Sequence, residues 1–142
     1  MTRTDDTEVP DYRSLLSLDG KNFIVLGAGQ GIGRQASHAL AAVGARVFCV
    51  DLDAGLADDI AKEVGGIAWA GDAIEQASVE RLYQDAETAL GRIDGIVDII
   101  GMAKYATLLE SDADSWAWHH GIVLQHAVNA LRFGVPRITF CE

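Results

Sequence analysis

Residues 23–33 read Phe-Ile-Val-Leu-Gly-Ala-Gly-Gln-Gly-Ile-Gly, a short apolar run that passes directly into a cluster of four glycines. The apolar run over residues 23–26 predicts a strand that is buried on both faces. Glycine permits a tight turn and removes side chains that would block a phosphate. A helix that begins among the last glycines would point its free N–H groups and positive dipole end at an anion. The segment therefore predicts a strand, a turn and a helix that together bind phosphate.

Apolar runs and helical periods alternate along the rest of the chain. Buried strands are also predicted over residues 47–50, 67–70 and 96–100, and helices over residues 32–43, 54–64 and 78–90. A long helix from about Asp112 to Phe133, with Ser111 as its cap, precedes a fifth strand over residues 137–141. Alternating strands and helices indicate βαβ units with right-handed crossovers. We expect an α/β fold with a Rossmann-type, doubly wound parallel sheet of about five strands in the order 3-2-1-4-5.

Length and charge narrow the class of protein further. The 142 residues suit one domain, which we place at residues 15–142 after a polar acidic tail over residues 1–14. Eleven Lys and Arg against 21 Asp and Glu leave a net charge of −10, which argues against nucleic acid as a partner. No apolar run reaches the roughly 18 residues of a membrane span, so no membrane partner is expected.

The amino-terminal residues and the two cysteines indicate the cellular compartment of the protein. Residues 1–11 are polar and acidic, which predicts neither a secretory signal nor a transit peptide. Cys49 and Cys141 fall inside apolar runs and are interpreted as small buried hydrophobes rather than a disulfide or metal pair. We therefore expect a reducing, cytoplasmic setting.

An acidic residue ends the second predicted strand. Asp51 lies 51 − 33 = 18 residues after Gly33, close to the spacing of a carboxylate that binds a ribose. Leu52 and Asp53 follow it, and no arginine does, so an extra phosphate on the ribose would meet two carboxylates. The sequence thus predicts a dinucleotide site that takes NAD rather than NADP.

The glycine spacing also points to a family. It fits Gly-x-x-x-Gly-x-Gly through Gly27, Gly31 and Gly33, and here the chain resembles the short-chain dehydrogenase/reductase family. Leu-Asp-Gly-Lys at residues 18–21 and Gly-Asp at residues 71–72 are similar to the family's lead-in and to its adenine-contacting acid. The resemblance implies an oxidoreductase that transfers hydride between NAD and an alcohol or carbonyl carbon.

The resemblance covers residues 18 to about 128 and carries a cofactor-binding set with it. It implies that adenine dinucleotide is held by Gly27, Gly29, Gln30, Gly31, Ile32, Gly33, Asp51, Leu52, Asp72, Ala73 and Gly101. The long helix corresponds to one that the family uses in subunit packing, which implies a homo-oligomer formed through that helix.

The chain also departs from the family pattern. Asp-Ile-Ile-Gly at residues 98–101 stands where the family has Asn-Asn-Ala-Gly, and only the glycine matches. Asp98 falls near the carboxyl end of a strand, where ligands bind in this fold class, so it is a candidate for lining the crevice. The family's Ser and Tyr-x-x-x-Lys have no counterpart in residues 1–142. The resemblance therefore implies a cofactor-binding half, incomplete at the carboxyl end, with no catalytic residue and no activity at this length.

Two other functions remain open at this point. A non-catalytic nucleotide-binding or subunit-assembly protein would explain the absent catalytic residues directly. A methyltransferase that uses S-adenosylmethionine would fit the Gly-x-Gly-x-Gly of residues 27–31, although Val25 stands where that superfamily usually has an acid. His119 and His126 are seven residues apart, but zinc needs three or four ligands, so no metal site is predicted.

Overall fold

A computed structural model of the chain describes residues 9–138. Four parallel strands form one sheet, namely β1 (Asn22–Leu26), β2 (Arg46–Asp51), β3 (Ile67–Ala70) and β4 (Gly95–Asp98). The helices are α1 (Tyr12–Leu15), α2 (Gly31–Ala42), α3 (Ala54–Val64), α4 (Gln76–Leu90), α5 (Ala113–His120) and α6 (His126–Gly134). The predicted alternation of strands and helices is confirmed.

The strand order is β3-β2-β1-β4, which places β1 in the middle of the sheet. Val25 pairs with Cys49 on one side and with Val97 on the other. Because the carboxyl ends of parallel strands meet at one edge, the loops that follow the strands all open on the same side. The predicted order 3-2-1-4 is thus confirmed for the four strands.

Two apolar cores lie on the two faces of the sheet, because successive strand side chains point in opposite directions. One core lies beneath α4 and α6 and includes Ile24, Leu26, Phe48, Val50, Leu82, Tyr83 and Ala130. The other lies beneath α2 and α3 and includes Val25, Val47, Cys49, Ile60 and Ala61. Full burial of one aliphatic side chain of this size contributes about 1.5–3 kcal/mol, so these contacts hold the helices on the sheet.

The predicted fifth strand falls mostly outside the described residues. Only its start is described, where Ile138 forms a parallel bridge with Ile93 immediately before β4. The chain therefore returns beside β4 at that point, as the order 3-2-1-4-5 requires. Cys141, predicted to be buried, lies outside the described residues, whereas Cys49 is buried as predicted.

The long helix predicted from Asp112 to Phe133 is not a single regular helix. A π turn, Gly121–Gln125, separates α5 from α6. The predicted cap at Ser111 is wrong, because the Asp112 side chain accepts the Ser115 N–H at 2.8 Å. Ser111 instead donates its hydroxyl to the Thr107 carbonyl. Asp112 occupies the cap position because its charged carboxylate is a stronger hydrogen-bond acceptor at a helix N-terminus than the Ser111 hydroxyl.

The described part of the predicted tail is exposed and contains one helical turn. Asp11 caps α1 by accepting the Arg13 N–H at 3.0 Å. No helix among residues 9–138 is long and apolar enough to cross a membrane.

Candidate functional site

The glycine loop connects β1 to α2 at the centre of the sheet edge. The N–H groups of Gly27 and Ala28 both donate to the Val50 carbonyl, at 2.9 and 2.8 Å, which anchors the loop to β2. Gly27 and Gly31 have φ angles of +77° and +56°, a left-handed backbone that glycine adopts without a steric penalty. Gln30 precedes α2 but gives its first turn no side-chain hydrogen bond. The start of α2 therefore offers backbone N–H groups to an anion.

The glycines of the loop are required for different physical reasons. A Cβ at Gly33 would lie 1.8 Å from the Gly27 carbonyl oxygen, so only glycine lets α2 approach the turn this closely. A Cβ at Gly29 would lie 2.5 Å from the Leu56 Cβ. A Cβ at Gly31 would meet nothing within 4 Å. Two glycines thus serve packing, while the space beside Gly31 at the helix start is open.

Asp51 ends β2 beside this loop. Its Oδ2 accepts the Gly29 N–H at 2.9 Å, and its Oδ1 accepts the Asp53 N–H at 3.1 Å. A carboxylate offers about four acceptor positions, so two remain for the hydroxyls of a ribose. Asp51 therefore ends β2 next to the glycine loop, and its role with a ribose stays a prediction. The sequence did not predict the bond to Gly29, by which Asp51 also shapes the loop.

The remaining predicted residues occupy the same edge of the sheet. Asp72 follows β3 and accepts the Ile74 N–H at 2.8 Å, and Ala73 beside it is buried. Asp72 also lines a cleft of about 330 Å³ between β3 and α4. Leu52 and Gly101 are exposed in the loops that follow β2 and β4, and Ile32 is exposed in the first turn of α2.

The end of β4 carries a contact that the sequence did not predict. Asp98 accepts the Ile100 N–H with its Oδ1 at 3.1 Å, which ends the strand two residues before the predicted position. Its Oδ2 lies 3.2 Å from the Nε2 of His126, whose side chain is only 4% exposed. A Cβ at Gly27 would lie 3.3 Å from the Ile100 Cγ1, so Ile100 packs against the glycine loop. No sequence spacing signals this pair, because His126 reaches Asp98 only through the packing of α6.

Two tyrosines are candidates for a proton donor. Tyr83 is fully buried and donates its hydroxyl to the Ala130 carbonyl at 3.0 Å. Burial raises the pKa of Tyr83 well above its ordinary range, so this residue is part of the core. Tyr105 is 98% exposed in the loop after β4. Lys104 beside it lies with its Nζ 4.1 Å from the centre of the Trp118 ring.

A cysteine and a histidine outside the predicted site are buried or hydrogen-bonded within the fold. Burial raises the pKa of the Cys49 thiol to about 11, which keeps it protonated at neutral pH. His119 accepts the Lys104 N–H at its Nε2 and contacts the Ser115 carbonyl through Nδ1. Within residues 9–138, no group of three or more His, Cys, Asp or Glu side chains is arranged to hold a metal ion.

Comparison with known proteins places this arrangement in a family. A family model described as short chain dehydrogenase matches residues 21–137. D-threitol dehydrogenase from Mycolicibacterium smegmatis is 35% identical over 122 residues, which cover 82% of this chain and 45% of that enzyme. Galactitol 2-dehydrogenase (L-tagatose-forming) from Cereibacter sphaeroides is 34% identical over 109 residues, which cover 75% of this chain and 42% of that enzyme.

A solved structure agrees with these relatives. The 3-ketoacyl-(acyl-carrier-protein) reductase from Brucella melitensis complexed with NADH superposes with a TM-score of 0.81 and 26% identity, over 85% of this chain and 51% of that chain. The chain thus spans about half the length of the relatives that it matches. With its glycine loop, its parallel sheet and this match over most of its length, the chain belongs to the short-chain dehydrogenase/reductase family.

Proposed function

We propose that this chain is the NAD-binding part of an oxidoreductase that transfers hydride between NAD and an alcohol or carbonyl substrate. The observation that carries the proposal is the open space at Gly31, next to a loop that Asp51 holds through Gly29. When bound, NAD supplies the hydride chemistry, and the protein supplies binding and orientation. The family favours this function over that of a methyltransferase.

In this proposal, residues at the carboxyl ends of different strands contact different parts of the dinucleotide. The first N–H groups of α2, from Gly31 to Gly33, would hold the pyrophosphate, and Asp51 would hold the adenosine ribose. Asp72 and Ala73 would border the adenine. Gln30, Ile32, Leu52 and Gly101 would flank the bound cofactor. A cytoplasmic location stays a prediction of the sequence.

The glycine loop can be tested by a substitution at Gly31. Gly31→Leu places a side chain in the open space at the start of α2, and we expect NAD affinity to fall at least about 100-fold, or about 2.7 kcal/mol. Isothermal titration calorimetry measures the dissociation constant directly.

The matched control is Gly65→Leu. Gly65 has a similar φ of +64° and also has nothing within 4 Å of an added Cβ, but it ends α3 at the opposite edge of the sheet. Both substitutions carry a similar backbone strain of about 1–2 kcal/mol. NAD binding that is unchanged in Gly31→Leu would show that the loop is not the pyrophosphate site.

The choice between NAD and NADP follows from Asp51. On this proposal, the carboxylate of Asp51, with that of Asp53 two residues later, would repel the 2′-phosphate of NADP. We expect wild-type protein to bind NAD at least tenfold more tightly than NADP, since one unfavourable charge contact supplies the needed 1.4 kcal/mol or so. In Asp51→Asn this preference should shrink to within about threefold. Asp58→Asn removes the same charge from the exposed face of α3 and should leave the preference intact. Equal affinities for the two cofactors in the wild type would contradict the assignment.

We further propose that residues 1–142 bind the cofactor without supplying the proton donor for the reaction. A general acid must lie within hydrogen-bond reach of the developing alkoxide and contributes roughly 10²–10⁴-fold to the rate. Tyr83 is bonded to Ala130 inside the core, and Tyr105 points into solvent with 98% exposure. The same observation favours a non-catalytic nucleotide-binding or subunit-assembly role as the second candidate.

A polypeptide of residues 1–142 should therefore oxidise NADH no faster than buffer does with a panel of ketones and aldehydes. The measurement is the absorbance of NADH, with a characterised dehydrogenase as positive control. Clear turnover would overturn the proposal. If that turnover disappeared in Tyr105→Phe, Tyr105 would be the acid.

Exposed apolar residues along the π turn and α6 support a homo-oligomer. Leu124 lies in the π turn, Val128 and Leu131 lie three residues apart on one face of α6, and the three side chains are 52%, 46% and 62% exposed. Exposed apolar patches of this kind mark association surfaces. We propose that a second copy of the chain covers these residues.

Sedimentation velocity tests this association. Wild-type protein should sediment as a dimer or larger species, and Leu131→Asp should sediment as a monomer because a charge would be buried at the interface. Leu16→Asp changes another exposed leucine, which lies just after α1 and near the end of α2, and should leave the sedimentation unchanged. A wild-type monomer at micromolar concentration would contradict the proposal.

A further inference from the structure

We propose that Asp98 and His126 form a positioning pair that sets the wall of the nucleotide site at Ile100 and Gly27. The inference rests on the proposed function, since it concerns the affinity for NAD. It assigns a role to His126, which lies outside the glycine loop and the strand-end residues described above.

The first support is the π turn that precedes His126. The His126 N–H bonds to the carbonyl of Gly121, five residues back, instead of the four of an α-helix. One extra residue rotates everything after it by about 100° relative to α5. As a result, the side chains of His126 and Asn129 both face inward and are almost completely buried. Such π turns are frequently found at functional sites.

The second support is the unequal use of the two ring nitrogens of His126. Its Nε2 lies 3.2 Å from the Asp98 Oδ2, whereas its buried Nδ1 has no hydrogen-bond partner in the described part of the chain. A buried polar atom without a partner costs about 1–3 kcal/mol. An apolar side chain of similar size would avoid that cost, so His126 is poorly explained as a stabilising residue. Its contact with Asp98 is the feature that a leucine could not supply.

The third support is the path from the pair to the glycine loop. The carboxylate that His126 contacts also accepts the Ile100 N–H, at 3.1 Å. Ile100 in turn packs on Gly27, whose carbonyl oxygen lies under Gly33 at the start of α2. Fixing the Asp98 side chain therefore fixes the backbone that borders the pyrophosphate space.

Asn129 makes the placement of α6 rigid. It donates its Nδ2 to the Ile74 carbonyl at 2.9 Å and accepts from Gln125 at 3.1 Å. Ile74 follows the Asp72 turn, so α6 is tied to the loops after both β3 and β4. With α6 held in this way, His126 has a defined position from which to orient Asp98.

The test compares two substitutions of His126. His126→Leu removes the ring nitrogen that contacts Asp98, and we expect NAD affinity to fall about tenfold or more. His126→Gln keeps an N–H donor near the same position and should restore the affinity to within about threefold of wild type. Calorimetry measures the affinities, and circular dichroism confirms that each variant is folded. Wild-type affinity in His126→Leu would overturn the proposal, and so would a glutamine variant as weak as the leucine variant.

The matched control is Tyr83→Phe. It removes the buried hydrogen bond to Ala130 on the same helix and keeps both His126 and Asp98. We expect it to lower the stability and to leave NAD affinity unchanged. A loss equal to that of His126→Leu would mean that any loosening of α6 weakens binding, and would overturn the specific role of the pair.

Amide hydrogen exchange separates this proposal from the proposed function, because it needs no ligand. The Ile100 amide should exchange about tenfold faster in His126→Leu and at the wild-type rate in His126→Gln. If the wild-type chain bound no NAD, the proposed function would fail. If Ile100 exchanged equally in all variants, the pair would fail, whatever the NAD affinity.

Discussion

The close approach of α2 to the turn after β1 is the contact on which the site depends. Gly33 sits against the Gly27 carbonyl at a distance that leaves no room for a Cβ. This contact aims the start of α2 at the space above the sheet edge, where the strands β1 and β4 and their loops meet. Because a helix start attracts anions only along its axis and within its first turn, this direction decides where a phosphate could bind.

Carboxylates then hold the surrounding loops in place. Asp51 fixes Gly29, Asp98 ends β4 through Ile100, and Asp72 turns the chain after β3. At the opposite edge of the sheet, Asp94 accepts the Asn22 N–H, and the neighbouring Arg92 lowers the pKa of that carboxyl. Part of the acidic excess in the composition therefore serves to satisfy backbone N–H groups in turns. These bonds depend on ionised carboxylates, which are stronger acceptors than neutral groups.

Helix α6 contacts both the loop after β3 and the end of β4. On its inner face, the Ala130 carbonyl accepts the Tyr83 hydroxyl of α4, and His126 and Asn129 make polar contacts with Asp98 and Ile74. Its outer face carries Val128 and Leu131, which are exposed and apolar like Leu124 in the preceding π turn. One helix thus contacts the loops after β3 and β4 with its inner face and leaves apolar side chains exposed on its outer face, and the π turn sets which residues fall on which side.

The sequence alone determined the alternation of strands and helices, the order of the four strands, the glycine loop and the position of Asp51. These features depend on local patterns, namely apolar runs, glycine spacing and an acid at a strand end, which are readable residue by residue. Only the tertiary structure decided that a π turn interrupts the long helix and that His126 meets Asp98, whereas the cap at Asp112 is a local contact that was wrongly predicted at Ser111. Helix periodicity assumes 3.6 residues per turn, so one extra residue in the turn at Gly121–Gln125 changes the facing of every later side chain. Contacts such as that between His126 and Asp98 depend on this rotation and on packing across the sheet, which no local pattern encodes.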